Sequence, residues 1–280
     1  MVWTEITRAQ YRRDDLRYAS DLTDAEFAVI APLLPEPARR GRPRTTAIRR
    51  VVEAILYIAQ TCCQWRLLSK DFPPFTTVQY YFYKWRADGT WERINRALVA
   101  SAREREGRAA QPTACIIDAQ AVRTTEAGGP RGYASEKMVR GRKRHLLTDT
   151  SGHLLLAAVH AGNIQDRHGA PSVMAGTRKS YPELRHIFAD AGYAGPKLKD
   201  ALAKLGDWTI EIVKRPDTGN GFKLLPRRWV VERTIAWLNR NRRLAKDFEA
   251  TIESAHAWLM VASIKLLVRR LARAPDKAKF

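Results

Sequence analysis

Three acids stand where a carboxylate can do chemistry. Asp118 closes the apolar run Ala114-Cys115-Ile116-Ile117. Asp190 closes Ile187-Phe188-Ala189 and opens Asp190-Ala191-Gly192-Tyr193. Glu232 is the only acid between Lys223 and Lys246, a stretch that holds eight Lys or Arg. A carboxylate kept in so positive a field needs a reason. Holding a divalent ion against a polyanion is one, because hard cations want oxygen ligands and a phosphate brings its own.

The whole chain favours a polyanionic partner. Its 280 residues hold 49 Lys plus Arg against 29 Asp plus Glu, a formal charge of +20 with a pI near 10.3. Such an excess attracts DNA or RNA and releases counterions on binding. Solubility alone does not need so one-sided a balance. The cysteines Cys62, Cys63 and Cys115 fit neither a zinc spacing nor a disulfide framework, so the chain reads as reduced and cytosolic. Residues 1 to 18 carry no apolar signal segment, and the longest membrane-like stretch, 257 to 264, is far short of a span. No membrane partner is expected.

The elements that must position these acids fall into two parts. Residues 1–20 read as an extension and 21–106 as a helical domain. Residues 107–112 read as a linker, 113–272 as a mixed strand-and-helix domain, and 273–280 as a tail. Thr23-Asp24-Ala25-Glu26 forms a capping box with Leu22 and Phe27 as its staple. Helices follow over 46–61, briefly at 65–68, from a cap at Thr76 or Thr77 through Trp85, and around Trp91, Ile94 and Leu98. Two readings stand for the helix at 76–85. In a helix-turn-helix reader it enters the major groove and presents Gln79, Tyr83 and Arg86; otherwise it belongs to a plain helical bundle. The run Arg39-Arg40-Gly41-Arg42-Pro43-Arg44 supports the reader. Gly41 and Pro43 keep it extended, so Arg40, Arg42 and Arg44 suit a narrow minor groove; a charged interhelix loop is the plainer reading.

From Thr113 the pattern changes to strands. The first ends at Asp118, and a hairpin turns over 148–152. Asp166 caps a helix toward Met174, and a strand over 185–189 ends at Asp190. A helix over 197–205, a strand over 208–214 and a helix over 227–244 follow. The last helix runs over 252–271 with Ile252, Ala255, Leu259, Ala262 and Leu266 as its stripe. Strands first, then strands alternating with helices, predict an α+β to α/β catalytic domain of the ribonuclease-H-like kind: a mixed sheet flanked by helices, with acids at carboxyl strand ends. The helix of Glu232 would cross the sheet and bring the third acid. Lys137, Arg142, Lys143 and Arg144 are either a backbone-binding run, with Lys143 as a DNA contact, or simply solvated.

In these motifs the chain resembles bacterial DDE-type insertion-sequence transposases of the family four and five group, from about Leu22 to Leu266. Ile-Ile-Asp118-Ala-Gln-Ala resembles the first acid motif, Asp190-x-Gly-Tyr193 the second, and Arg228-x-x-x-Glu232 with its basic helix the third. Leu-Thr-Asp-Ala-Glu, Gly-Arg-Pro-Arg, Trp65-Arg66 and Asp71-Phe72-Pro73-Pro74 resemble the helical segment before the catalytic domain in the family-five branch. Two departures are visible: Leu225 stands where the family often has Tyr, and Asn239 where it has Lys, with Arg240 beside it as a substitute phosphate contact.

The resemblance implies two Mg²⁺ ions, with Mn²⁺ as an alternative, held by Asp118, Asp190 and Glu232 as catalytic and metal-binding residues. Asp118 would contact both ions. It implies end cleavage by hydrolysis, then joining of the 3′ ends to target DNA without a covalent protein intermediate. It also implies double-stranded DNA partners (terminal inverted repeats and target), a homodimer in the synaptic complex, and a bacterial, nucleoid-associated cytoplasmic location. Arg228, one turn before Glu232, would hold a phosphate or orient the carboxylate, or be a surface ion pair. Each acid also has a plainer reading: a strand-end turn for Asp118, an Asx-turn for Asp190, a helical ion pair for Glu232. A nucleotide-binding Gly-x-x-x-x-Gly-Lys loop, a clustered zinc set and a His-x-x-Arg recombinase motif are all absent from the sequence. The other class that fits is a catalytically dead DNA-binding repressor or architectural protein.

Overall fold

The structure is a computed structural model that describes residues 11–37, 44–213 and 226–273. Its first part is helical. α1 (Asp24–Ile30) starts at the expected capping box: Thr23 Oγ1 accepts the Glu26 amide, and Glu26 accepts the Thr23 amide. α2 (Ile48–Thr61) buries Val51, Val52, Ile55, Ile58 and Ala59, and stops at Cys62 in the left-handed region at φ +62°. The Trp65–Leu67 segment is a single 3₁₀ turn. α3 (Phe75–Ala87) begins earlier than the expected Thr76 or Thr77 cap. Pro74 occupies the cap position instead, and no side chain caps the helix. Its buried stripe is the expected Val78, Phe82 and Trp85. α4 (Thr90–Arg105) buries Trp91, Ile94 and Leu98.

A six-stranded mixed sheet follows. β1 is Ala114–Arg123, β2 Gly132–Ala134, β3 Val139–Asp149 and β4 Leu154–Ala161. α5 (Asp166–Met174) and the one-turn α6 (Thr177–Ser180) lead to β5 (His186–Ala189), α7 (Pro196–Ala203) and β6 (Thr209–Ile212). The chain then enters α8 (Pro226–Leu238) and α9 (Ile252–Leu271). β3 is antiparallel to β1, β4 and β2, while β1, β5 and β6 run parallel. The order across the sheet is therefore β4, β3, β1, β5, β6. A three-stranded antiparallel meander extended by parallel strands is consistent with the ribonuclease-H-like expectation.

Four sequence expectations are corrected. β1 does not end at Asp118. β3 pairs with it from Cys115 through Arg123 and carries it five residues further, whereas its other neighbour, β5, stops at Ala189. Asp118 thus sits mid-strand, just past the point where β1 loses its parallel partner. Asp166 is the first residue of α5 rather than its cap, which is Gln165, and its carboxylate is taken by Lys143. α8 stops at Leu238, not 244; Asn241 Nδ2 donates to the Leu238 carbonyl, and a separate 3₁₀ turn spans Arg242–Leu244. The basic run at 142–144 is not solvated. Arg142 is 0%, Lys143 5% and Arg144 1% exposed, because β3 is paired along both edges and covered on both faces.

α9 spans the predicted residues but is buried nearly all round rather than along one stripe. It packs on α1, α2, α3 and α4 as well as on β4 and α8, so the helical part and the sheet share one core. No helix among the described residues is long and apolar enough to cross a membrane.

Candidate active site

The strand register sets the first two acids side by side. Ala114 faces His186, Cys115 faces Ile187 and Ile116 faces Phe188. The same offset of 72 residues separates Asp118 from Asp190, so the register carried two residues on lays one acid beside the other, on neighbouring strands about 4.8 Å apart. Both are half-buried. Each carboxylate is oriented by a backbone amide: Ala119 N–H donates to Asp118 Oδ1 at 2.7 Å, and Gly192 N–H to Asp190 Oδ1 at 2.8 Å. The Asx-turn read for Asp190 is therefore present, at a residue that also stands at a carboxyl strand end.

Glu232 is exposed on α8, the helix that packs against β1, β3 and β5. Val231, Thr234 and Leu238 face inward, and Thr234 Oγ1 donates to the Gly152 carbonyl in the β3–β4 turn. Among the described residues, no three His, Cys, Asp or Glu side chains gather closely enough to enclose a metal ion. The pair Asp118–Asp190 offers hard carboxylate oxygens of the kind a divalent ion takes.

Residues not expected from sequence surround this pair. A Cβ on Gly192 would lie 3.0 Å from Asp190 Oδ1 and 3.5 Å from Asp166 Oδ2, so both acids crowd the same glycine. Lys143 Nζ binds Asp166 Oδ1 at 2.8 Å. The buried Tyr193 hydroxyl shares a 2.9 Å hydrogen bond with His145 Nδ1. Burial, and then the charges of Asp118, Asp166 and Asp190, push that phenol well above its ordinary range, so it stays protonated. Only Tyr193 carried a sequence signal, through Asp190-x-Gly-Tyr193.

Burial, and next the neighbouring His160, push His145 down to about 3. The unfolded chain takes up this proton below about pH 6.5 and the folded chain does not, so stability is full above 6.5 and falls as pH drops toward 3. Between pH 6.5 and 5 this histidine should cost about 2 kcal/mol of unfolding free energy. Urea titrations at the two pH values check it: a His145→Gln chain should show a shallower acid loss, and an equal loss would remove the assignment. Gly169 is equally constrained, because an added Cβ would collide with Nε2 of both His145 and His160. Gly169→Ala should lose about 1–3 kcal/mol in chemical denaturation.

The candidate DNA contacts are dispersed. Arg40 and Arg42 lie outside the described residues, and Arg44 is half-buried. Lys143 is turned inward onto Asp166, not toward solvent. Gln79 is half-buried, and Tyr83 packs on Trp65 at 6.2 Å between ring centroids. Arg86 stacks on Tyr83 and donates to Ser254 Oγ at 2.7 Å, tying α3 to the start of α9. The solvent face of α3 carries Tyr80 and Lys84. Arg240 is exposed just past α8; the backbone of Arg228 lies in the first turn of α8, and its side chain lies outside the description.

Comparison with known proteins gives two family matches. The model described as "Transposase DDE domain" matches residues 109–267, a span that holds all three acids. The model described as "Putative transposase of IS4/5 family" matches residues 22–95. A Burkholderia cepacia protein named "Putative transposase for insertion sequence element IS402" is 30% identical over 141 residues, which are 48% of this chain and 66% of the relative. The chain thus spans 66% of the length of the curated relative it matches. No solved structure matches.

Proposed function

Because the chain belongs to the DDE transposases of the IS4/5 type, we propose that it binds the terminal inverted repeats of an insertion sequence, cleaves the element's ends by metal-dependent hydrolysis and joins the 3′ ends to target DNA. The observation that carries this reading is the register of β1 and β5, which supports a side-by-side Asp118 and Asp190 inside the span matched by the DDE family.

In this reading Asp118, Asp190 and Glu232 hold two Mg²⁺ ions, with Mn²⁺ able to replace them. When bound, the ions supply Lewis acidity toward the attacking and leaving oxygens. The chain's own residues do the rest. The Ala119 and Gly192 amides fix the lone-pair directions of the two strand-borne carboxylates. The shift of α8 against β1 brings Glu232 to them, and Arg228 and Arg240, flanking Glu232 on and just past α8, meet the phosphodiester backbone. A hydroxyl of water, then the DNA 3′-hydroxyl, attacks phosphorus in line with the departing oxygen.

The helical part over 21–106 is the DNA reader in this account, with the Arg39–Arg44 run in the minor groove, and the part over 113–272 is the catalytic unit. Tyr80 and Lys84, on the open face of α3, join Gln79 as base or backbone contacts. Two copies meet in the synaptic complex, on the nucleoid in the cytoplasm. A catalytically dead repressor is not favoured, since all three acids are intact inside the DDE match.

The test uses the full chain and a supercoiled plasmid carrying both ends of the element. Nicks at the two termini in Mg²⁺, none in chelator, are the expected result. No cleavage at the ends in either Mg²⁺ or Mn²⁺ overturns the proposal.

A further inference from the structure

The buried ion pair between β3 and α5 is not used by the chemistry above, yet it adjoins it. Lys143 is 5% exposed, on a strand whose other buried cations, Arg142 and Arg144, are satisfied by partners over 244–251. Arg142 and Arg144 share one face of β3 with Leu146, opposite Asp118; Lys143 points to the other face, toward α5. There its ammonium meets Asp166, and the second oxygen of Asp166 reaches the glycine that Asp190 also touches. Gly192 has no side chain to separate the two acids. The Tyr193 hydroxyl, 1% exposed and held by His145, sits within the field of Asp118, Asp166 and Asp190 together. A fourth carboxylate and one ammonium therefore stand inside the electrostatic reach of the acid pair.

We propose that Asp166 and Lys143 are positioning residues that tune the cation affinity of the Asp118–Asp190 site, the carboxylate strengthening it and the ammonium weakening it. The inference rests on the metal-site reading above. Asp166 does not ligate the ion; it acts across Gly192 by charge. Lys143 keeps Asp166 compensated in the ion-free chain, so a fourth acid is tolerated beside the others without collapse of the site. At roughly 6 Å in a half-solvated cleft, one unit charge shifts the binding of a divalent ion by about tenfold.

The two partners have opposite signs, which a merely structural ion pair does not. Mn²⁺ binding to the full chain, followed by electron paramagnetic resonance of the free ion, reads this directly without any turnover. Asp166→Asn should weaken binding by about tenfold, and Lys143→Gln should tighten it several-fold. Asp166→Glu keeps the charge and should bind within about threefold of the native chain, which covers the case that Asp166→Asn does not fold. Thermal unfolding without metal verifies that each variant is folded. Equal binding by the native chain and Asp166→Asn, or weaker binding in both Asp166→Asn and Lys143→Gln, overturns the proposal. Asp190→Asn separates this from the underlying reading. If it binds Mn²⁺ as the native chain does, or the native chain binds none, the metal site itself is wrong and the tuning falls with it. If Asp190→Asn loses the ion while Asp166→Asn and Lys143→Gln keep native affinity, only the tuning falls.

Discussion

Asp118→Asn is expected to abolish nicking of a plasmid that carries the element's ends while leaving end binding intact. Asparagine keeps the size of the side chain and an oxygen that accepts the Ala119 amide, so β1 loses no local hydrogen bond. Asp118 is half-buried on a strand held along its whole length by β3, and the fold does not depend on its charge. What disappears is one anionic oxygen ligand beside Asp190. Metal-ion catalysis contributes several kcal/mol to a phosphoryl transfer, and each 1.4 kcal/mol is tenfold, so the loss should be on the order of a thousandfold or more. Gel-shift affinity for the terminal repeat in chelator should change by less than about threefold, since that affinity comes from phosphate contacts elsewhere. Retained nicking in the variant would remove Asp118 from the site. Lost binding alongside lost nicking would mean that the substitution damaged the fold rather than the chemistry.

The visibility of Asp118 and Asp190 in the sequence has a physical basis. A buried strand needs a short apolar run, and an acid that ends such a run stands out against it. The offset of 72 residues between them, read first as mere spacing, is the pairing offset of β1 with β5. Glu232 was visible for another reason, as an isolated acid in a basic stretch, and that signal says nothing about distance. It fixes the helix, and the helix does pack on β1. α9 was legible in extent but not in surroundings. A stripe of Ala255, Leu259 and Ala262 fits one covered face, whereas Trp258, Met260, Val261 and Ile264 are buried as well. The long-range partners that wrap this helix, α1 to α4 on one side and β4 on the other, leave no local mark in its sequence.

The basic run 142–144 was misread for the same reason, and it carries the largest stability effect expected here. Three consecutive cations look solvated because nothing nearby neutralises them; their partners lie 20 to 110 positions away in the chain, at Asp166, Leu244, Lys246, Asp247, Ala250 and Thr251. Arg142 is the hub. It is 0% exposed, pairs with the equally buried Asp247 at 3.2 Å, and donates to the carbonyls of Pro130, Ala250 and Thr251. It thereby fastens the entry to α9 onto the middle of the sheet. Arg142→Met should cost about 3–5 kcal/mol, because it strips the cation from a buried carboxylate and orphans three carbonyls at once. Much of that loss is the stranded Asp247, so Arg142→Met combined with Asp247→Leu should recover a large part of it, a coupling that a double-mutant cycle in urea measures. Arg144 makes the cycle sharper. Burial pushes its guanidinium down to about 10, and Asp247 is the first charge that holds it up. Removing Asp247 alone therefore leaves two buried guanidiniums facing each other, and Asp247→Leu should be at least as damaging as Arg142→Met. A loss below about 1 kcal/mol in either single variant would show that the pair is solvated in solution and that α9 is held to the sheet by its apolar face alone.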